Sequence, residues 1–452
     1  MKKILISIVS AVTLMLLFVV CANAAVARVD GQEYTSLQDA INAATGEGET
    51  IKLLADIDFG TTTLEIPAGY DVVLDLNGKV ISGRTGSSNE NALIRVSNEA
   101  TLTVIDSAEG GKITMAKGGS AEGFTIDVKG NLILNSGTIE LTGAWSIGFA
   151  VDVRPNAWGT AYKEKTTFEM NGGRIISSDG GVRVDSNSSD DYEALGVYFT
   201  MNGGEIIADW DAIMYQHRYR NNLYVEINDG VLSGWYSPIR IYSYDGAVVS
   251  NVYLEINGGT FNYTGLQRSG WIVENAILSS HESVANAADI TVTGGTFEGD
   301  VTPLCKDGYI VIDNGNGTYT VVKYIVSLEE IFKDKGYSTS PDGITRGYTV
   351  DHELLATYME QNGLESFEFG AVFGINTIDE NAVVKSFENL ASKTNRYNVT
   401  INGITENYYD LGLVLALYVN VDGETKYVNE ESVLVLATEI KAVTYNSFKE
   451  EN

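Results

Sequence analysis

The sequence predicts an all-β protein in which short coils are stacked on one another, followed by a smaller β domain. Three observations indicate the stack. A short motif that ends in Asn-Gly recurs about every thirty residues, strand-like alternation precedes it, and a further strand-like stretch follows in each unit. A repeat period of about 20 to 50 residues is typical of solenoids, propellers and repeat arrays.

The motif is clearest in the pair FEMNGGRIIS and FTMNGGEIIA, which place Asn171 and Asn202 in the same slot. A weaker copy lies near Asp106, and neighbouring slots are 26 to 36 residues apart. The slot is polar throughout and is filled by Asn77, Asn135, Asn171, Asn202, Asn228, Asn257 and Thr293. The repeat therefore covers most of the first 300 residues.

The side chains before each turn predict a strand with one buried face. Phe168 and Met170, for example, are apolar and flank the polar Glu169. The Asn-Gly step can supply the positive φ of a sharp bend, although such a step could also close an antiparallel hairpin. We favour stacked coils because the bend occurs once per unit, whereas a propeller blade needs four strands and about forty residues. An asparagine repeated in register also predicts a ladder of amides about 4.8 Å apart.

An amphipathic helix is expected at Ser36–Ala44, before the first coil, with Leu37, Ala40 and Ile41 on its apolar side. A stack of coils ends in an open apolar cross-section with unpaired strand edges, which would favour aggregation. A helix at this place would cover that end.

These segments resemble the right-handed parallel β-helix proteins of the pectin-lyase-like superfamily. The segments YTSLQDAINAATGEGETIKLLADI and VVLDLNGKVISG carry the resemblance, which covers roughly residues 26–322. It is strongest to the non-catalytic secreted proteins common in gut Firmicutes. The resemblance implies a right-handed parallel β-helix, but no single function, since the superfamily includes lyases, hydrolases, epimerases, adhesins and surface modules.

A second domain is predicted after a linker at 323–349. The segment VDHELLATYMEQNG has the pattern of a helix that stops at Gly363, and alternating strands follow, two of them joined by Asp422-Gly423. We therefore expect a helix and a small β-sandwich of immunoglobulin-like type over 350–452. These segments resemble the terminal sandwich modules of some secreted Firmicutes proteins.

The first 24 residues predict a cleaved signal peptide. Lys2 and Lys3 precede the apolar run Ile4–Val20, and Ala22-Asn23-Ala24 has the small residues of a cleavage site. An apolar run of this length barely spans a bilayer, which argues against a retained anchor. We expect a secreted or cell-surface bacterial protein, without a membrane span after cleavage.

The chain is strongly acidic, with 30 basic and 60 acidic side chains. Removal of the two leader lysines leaves 28 basic residues and a net charge of −32. Such a surface repels nucleic acid and anionic lipid, so neither is an expected partner. Only Cys305 remains after cleavage, which leaves no intramolecular disulfide.

Two acidic clusters are the best candidates for chemistry. ADWDAIMYQHRYRNN and the preceding SNSSDDYE supply Asp190, Asp191, Asp209, Asp211, His217 and Arg218. Carboxylates on adjacent coils could face each other, as a hydrolase or a calcium site requires. The competing interpretation is that these residues are solvated turn formers.

The hydrolase signature of pectin-degrading relatives, a Gly-His-Gly and an Arg-Ile-Lys after paired aspartates, is absent from the sequence. The calcium-clamping aspartates of the lyases have no clear counterpart either. We therefore assign no catalytic residue and no metal ligand, and we expect no cofactor, with Ca²⁺ as the alternative. A polysaccharide lyase or glycoside hydrolase remains the alternative function.

Aromatic residues at similar distances after the motif give the leading functional hypothesis. They are Trp145, Trp210, Trp235, Tyr263 and Trp271. Similar offsets in stacked coils predict a similar position around the stack, where flat rings could bind a glycan. The alternative is an internal aromatic stack. We expect a non-catalytic, adhesin-like protein that binds carbohydrate or another surface partner; a purely structural spacer is a further alternative.

Overall fold

The computed structural model describes most of the chain. The described ranges are 24–44, 48–86, 91–118, 122–143, 148–155, 165–185, 196–217, 222–243, 252–263, 277–279, 289–340, 343–364, 367–375, 383–386, 396–402, 413–421 and 424–428. The predicted signal peptide lies outside these ranges, apart from Ala24. The chain divides into two compact units, Met1–Lys323 and Tyr324–Asn452. Within the described ranges, no helix has the length and apolar character needed to cross a bilayer.

The described residues of the first unit form three sheets. Sheet A contains β1 (Ala27–Val29), β2 (Gln32–Tyr34), β3 (Glu49–Leu53), β6 (Asp71–Asp75), β9 (Thr101–Ile105), β12 (Asn131–Leu134), β15 (Thr166–Met170), β18 (Val197–Met201), β21 (Leu223–Ile227), β24 (Val252–Ile256) and β27 (Asp289–Val292). Sheet B contains β4 (Ile57–Asp58), β7 (Val80–Arg84), β10 (Lys112–Lys117), β13 (Thr138–Gly143), β16 (Arg174–Ser177), β19 (Glu205–Ala208), β22 (Val231–Gly234), β25 (Thr260–Tyr263), β28 (Thr296–Phe297), β29 (Tyr309–Asp313) and β30 (Tyr319–Lys323). Sheet C contains β5 (Leu64–Ile66), β8 (Asn91–Val96), β11 (Gly123–Val128), β14 (Gly148–Val153), β17 (Gly180–Asp185), β20 (Asp211–His217), β23 (Ser237–Ser243) and β26 (Ile277–Ser279).

Each coil of the chain passes through sheet A, then sheet B, then sheet C, and from β3 to β28 every strand pairs in parallel with its counterpart one coil away. The terminal strands β1, β2, β29 and β30 pair antiparallel. Phe168 of β15 aligns with Phe199 of β18, for example, and Phe199 aligns with Val225 of β21. This arrangement confirms the predicted parallel β-helix of stacked coils and excludes the hairpin alternative.

The interior is filled by apolar side chains that repeat in register. The rings of Phe168 and Phe199 stack with centroids 4.8 Å apart, and those of Phe261 and Phe297 stack at 4.5 Å. All four side chains are buried. Alternation along the strands leaves the intervening residues on the outer faces of the sheets.

The predicted asparagine ladder is present at the turn between sheets A and B. Each side-chain amide donates a hydrogen bond to the side-chain oxygen one coil before: Asn171 to Asn135 (3.0 Å), Asn202 to Asn171 (2.8 Å), Asn228 to Asn202 (2.9 Å) and Asn257 to Asn228 (2.9 Å). The Thr293 hydroxyl continues the row to Asn257 at 2.7 Å. The second glycine of the motif has positive φ, for example 88° at Gly204. The polar residue of the slot thus links neighbouring coils, and the glycine allows the sharp bend.

The N-terminal end of the β-helix is covered by α1 (Leu37–Ala43), which confirms the predicted capping helix. The Ser36 hydroxyl accepts a hydrogen bond from the Asp39 amide at the helix start, and Leu37, Ala40 and Ile41 are buried. Gln38 bonds both the backbone carbonyl oxygen and the backbone amide of Glu65 on β5, at 2.9 and 3.0 Å. The helix thus supplies partners to the free edge of sheet C.

The second unit contains α2 (Leu328–Ile331), α3 (His352–Gln361) and two antiparallel sheets. The first sheet contains β31 (Phe332–Ser340), β32 (Gly343–Val350) and β35 (Arg396–Asn402). The second contains β33 (Glu368–Ile375), β34 (Val383–Ser386), β36 (Leu413–Val421) and β37 (Glu424–Val428). They share a core in which the Phe369 ring lies 5.1 Å from Phe332 and 5.2 Å from Tyr397.

The structure of this unit bears on two predictions from the sequence, the helix before Gly363 and the linker at 323–349. The predicted helix is α3, which begins after Asp351, whose carboxylate accepts hydrogen bonds from two amides of the first turn. Residues 323–349, expected as a linker, instead contain α2, β31 and most of β32. Many polar residues hide the strand pattern in this segment, and its core contacts come from Val326, Ile331, Phe332 and Tyr348. Asp422-Gly423 lies outside the described residues.

Candidate functional site

The outer face of sheet C contains a row of buried side chains that crosses five coils. The row is Asp127, Asp152, Arg183, Met214 and Arg240, which align strand by strand in the parallel pairing. Their neighbours in sequence, such as Val182 and Val184, belong to the interior core, so the row lies on the opposite face. All five are at most 6% exposed. Four charged side chains in such a place need explicit partners.

Asp152 is the centre of this row. Its two oxygens accept hydrogen bonds from Arg183 at 2.7 and 3.0 Å, and Arg154 Nε lies 2.7 Å away. Burial alone would raise the pKa of Asp152, but the guanidinium groups of Arg183 and Arg154 hold it well below its usual value. Burial would likewise lower the pKa of Arg183, and the Asp152 carboxylate outweighs this and raises it. The pair therefore stays ionised at neutral pH.

Further charges extend the network on both sides. Arg95 and Lys129 contact Asp127 at 3.1 and 2.8 Å. A separate buried pair, Lys117 with Asp179, has a separation of 2.7 Å. The buried carboxylates of this region are thus paired with cations, although the protein as a whole is strongly acidic.

Apolar rings lie next to the charges. The Arg183 guanidinium lies 5.0 Å from the Phe124 ring centroid and 4.9 Å from that of Phe149, within cation–π range. Phe149 in turn stacks on Trp210, with centroids 6.3 Å apart and planes at 26°. A Cβ atom at Gly180 would overlap the Phe149 ring, so glycine is the residue that leaves room for it. Phe124 and Phe149 thus form an apolar layer against which Trp210 packs.

Next to this apolar layer, Arg240 contacts both Asp211 and Trp210. Arg240 lies 3.3 Å from Asp211 Oδ2 and 5.5 Å from the Trp210 ring centroid. Burial raises the pKa of Asp211 to about 7, against the lowering effect of Arg240 and with a further increase from Asp179. Its second oxygen, Oδ1, is buried and accepts no hydrogen bond within the described part of the chain. Asp211 can therefore hold a proton near neutral pH.

The structure places three of the predicted aromatic residues at the turn from sheet B to sheet C on successive coils. The Tyr236 amide donates to the Trp210 carbonyl oxygen, and Tyr263 aligns with Gly234, the residue before Trp235. The Trp235 ring lies 6.0 Å from that of Tyr236. Trp210, Trp235 and Tyr263 are each half-buried. Trp145 and Trp271 lie outside the described residues.

The predicted carboxylates are not brought together where the structure describes them. Asp209 is exposed, whereas Asp211 is fully buried against Arg240. His217 is the last residue of β20, and its side chain is outside the described set. Asp190, Asp191 and Arg218 lie outside the described residues as well. Among the described side chains, no three His, Cys, Asp or Glu residues form a group suited to a metal ion.

Sequence reasoning missed Asp152, Arg183 and Arg240, the residues that organise this face. The signal was available in the strands GFTIDV, GFAVDV and GGVRVD, each of which has one charged residue between apolar ones. These strands come once per repeat, and stacking them in register aligns the charges. The Asn-Gly turns, which are the clearest part of the repeat, lie at a different edge of the coil.

No family model matches the chain, and no curated protein or solved structure matches it either.

Proposed function

We propose that this chain is a secreted or cell-surface, non-catalytic protein that binds carbohydrate, or another extracellular surface partner, on the outer face of sheet C. One observation carries the proposal. The half-buried indole of Trp210 is held on Phe149 beside a buried, charged Arg240 and the buried carboxyl of Asp211.

This arrangement suits a sugar ring. An aromatic ring supplies apolar area of fixed orientation for C–H groups, and neighbouring polar groups orient the hydroxyls. Because Phe149 and Gly180 fix the position of Trp210, little side-chain freedom remains to be lost on binding. Trp235 and Tyr263, one and two coils further on, would extend the contact along a glycan chain.

The same proposal includes export of the protein and its membership of the pectin-lyase-like superfamily. The leader pattern at Lys2, Lys3 and Ala22-Asn23-Ala24 supports export, and a strongly acidic surface suits a soluble extracellular protein. Kinship with the pectin-lyase-like superfamily rests on the shared parallel β-helix and on the motifs around Asn77. An immunoglobulin-like second unit, acting as a stalk or second contact, is supported by its two antiparallel sheets with a common core.

The test is a glycan array with the mature protein, followed by calorimetric titration with any glycan bound. We expect Trp210→Ala to weaken binding at least about tenfold, as loss of a buried aromatic anchor does in other interfaces. Tyr224→Ala, which removes a half-buried ring from sheet A, serves as the matched control and should retain binding. Circular dichroism checks that both variants are folded. Unchanged affinity in a folded Trp210→Ala protein would contradict the proposal.

A second candidate, a polysaccharide lyase or glycoside hydrolase, is favoured by Asp211 alone. Its pKa of about 7 and its free Oδ1 would suit a general acid. Screening acidic and neutral polysaccharides for product release, with and without Ca²⁺, tests this function, and Asp211→Asn should abolish any turnover found. No product from any substrate would eliminate it. Absence of both binding and turnover would leave the role of a structural spacer.

A further inference from the structure

The outer face of sheet A carries two aligned rows that the proposed glycan site does not use. The tyrosine row consists of Tyr198, Tyr224 and Tyr253 on β18, β21 and β24. Two residues further along the same strands lie Thr200, Glu226 and Glu255, which we call the glutamate row after its two acidic members. Both rows repeat at the spacing of the strands, about 4.8 Å.

The tyrosine row is rigid and accessible. Its rings stack with centroids 4.6 and 4.7 Å apart and planes within 5° and 7° of parallel. Each tyrosine is half-buried, so part of every side chain remains accessible to solvent. Stacked tyrosines have little side-chain freedom to lose on association, and tyrosine is enriched at the energetic centres of protein interfaces. The tyrosine row therefore needs little rearrangement to contact a partner protein.

The glutamate row differs from the charged residues of sheet B. On sheet B, carboxylates meet cations one coil away, as in Lys112 with Glu140 at 3.1 Å and Arg174 with Glu205 at 2.8 Å. Glu226 instead aligns directly with Glu255 in the pairing of β21 and β24. Neither forms an ion pair with the residues that the structure describes. Like charges on aligned positions repel each other, and a cation from outside would relieve the repulsion.

We propose that the tyrosine and glutamate rows of sheet A form a docking surface for a basic helical segment of another protein. Lysines or arginines three or four residues apart on a helix are about 5–6 Å apart, close to the separation of Glu226 and Glu255. The aliphatic stem of each basic side chain would cross Tyr224 or Tyr253, and its charged end would reach the glutamate on the same strand. A second copy of this chain is disfavoured by its net charge of −30.

The test uses a fluorescent peptide of lysine and alanine in which the lysines are four residues apart, and measures its binding to the mature protein by fluorescence anisotropy. A peptide of the same composition with a central proline is the non-helical comparison. We expect the double variant Glu226→Gln/Glu255→Gln to bind the helical peptide about tenfold more weakly than the wild type. The control Glu99→Gln/Asp307→Asn removes the same number of charges from exposed positions elsewhere in this unit and should change the affinity by less than about twofold.

Three results would overturn the proposal. Equal weakening by the control variant would show attraction by net charge alone. Equal binding of the proline-containing peptide would show that helical spacing is irrelevant. Binding of a soluble amino-sugar oligomer that depends on Glu226 and Glu255, without binding of the peptide, would show that the surface takes a cationic glycan instead. Because the substituted glutamates are on the surface, each variant should fold, which circular dichroism verifies.

Discussion

Replacement of Asp211 by asparagine should change how the stability of the β-helix depends on pH. The pKa of the Asp211 carboxyl is raised from 3.8 to about 7, chiefly by burial. In the unfolded chain this group ionises near its ordinary pKa. Between the two values, unfolding therefore releases a proton, and the stability that this group contributes is lost as the pH rises toward about 7. The amide of the substituted side chain cannot ionise, so the variant lacks this loss.

The magnitude follows from the shift. A pKa difference of about three units corresponds to about 4 kcal/mol once the pH exceeds the folded-state pKa. From about pH 5.5 to about pH 8, the free energy of unfolding of Asp211→Asn should therefore rise by about 2 kcal/mol relative to the wild type. Only this change with pH tests the reasoning, because the variant also replaces the carboxyl that contacts Arg240 by an amide, which shifts the absolute stability at every pH.

Urea unfolding followed by tryptophan fluorescence is a suitable assay. All five tryptophans lie between residues 145 and 271, so the signal reports the first unit alone. The control is Asp209→Asn, which changes an exposed side chain two residues away and should alter stability by less than about 0.5 kcal/mol at either pH. A difference between Asp211→Asn and wild type that stays constant with pH would refute the assignment of a protonated Asp211.

Three further changes test the fold. Asn202→Ala removes two ladder hydrogen bonds, so it should cost about 1–3 kcal/mol in the same unfolding assay, and Asn135→Ala, which removes one, should cost about half as much; equal costs would argue against the ladder. Gly204→Ala should destabilise by more than Gly31→Ala, since both have positive φ but only the Cβ at Gly204 would lie 2.7 Å from a backbone oxygen, and a melting temperature no lower than that of Gly31→Ala would contradict this. Asp152→Ala should cost about 3–5 kcal/mol of unfolding free energy because buried guanidinium groups lose their partner, and a loss below about 1 kcal/mol would show that water reaches them.

The fold was predictable because its determinants are local and periodic. The slot of Asn171 and Asn202 and the parity of Phe168 and Met170 each require only one strand and one turn to be recognised. Stacking then follows, since the same turn repeats once per coil. Helix α1 was predictable from the spacing of its buried residues for the same reason.

The candidate site was predictable only in part. Trp210 and Trp235 were found because they keep a similar distance from the turn, whereas Asp211 was grouped with Asp209 by sequence proximity. The structure separates the two because Asp209 lies in the exposed turn before β20, whereas Asp211 begins β20 and is buried against Arg240 of the next coil. The pairing of Asp152 with Arg183 joins residues 31 positions apart, and it becomes visible only when the register of sheet C is known.

Neighbouring coils keep the same strand-to-strand spacing, but they contain different numbers of residues. The connection from sheet C to sheet A runs over 97–100 after β8 and over 154–165 after β14, yet the strands on either side keep the same register. The entropy cost of a longer connection grows only slowly with its length. We therefore expect that foreign peptide inserted after β14 leaves the hydrogen-bonded frame of the β-helix intact, so that this part of the surface varies with little effect on stability.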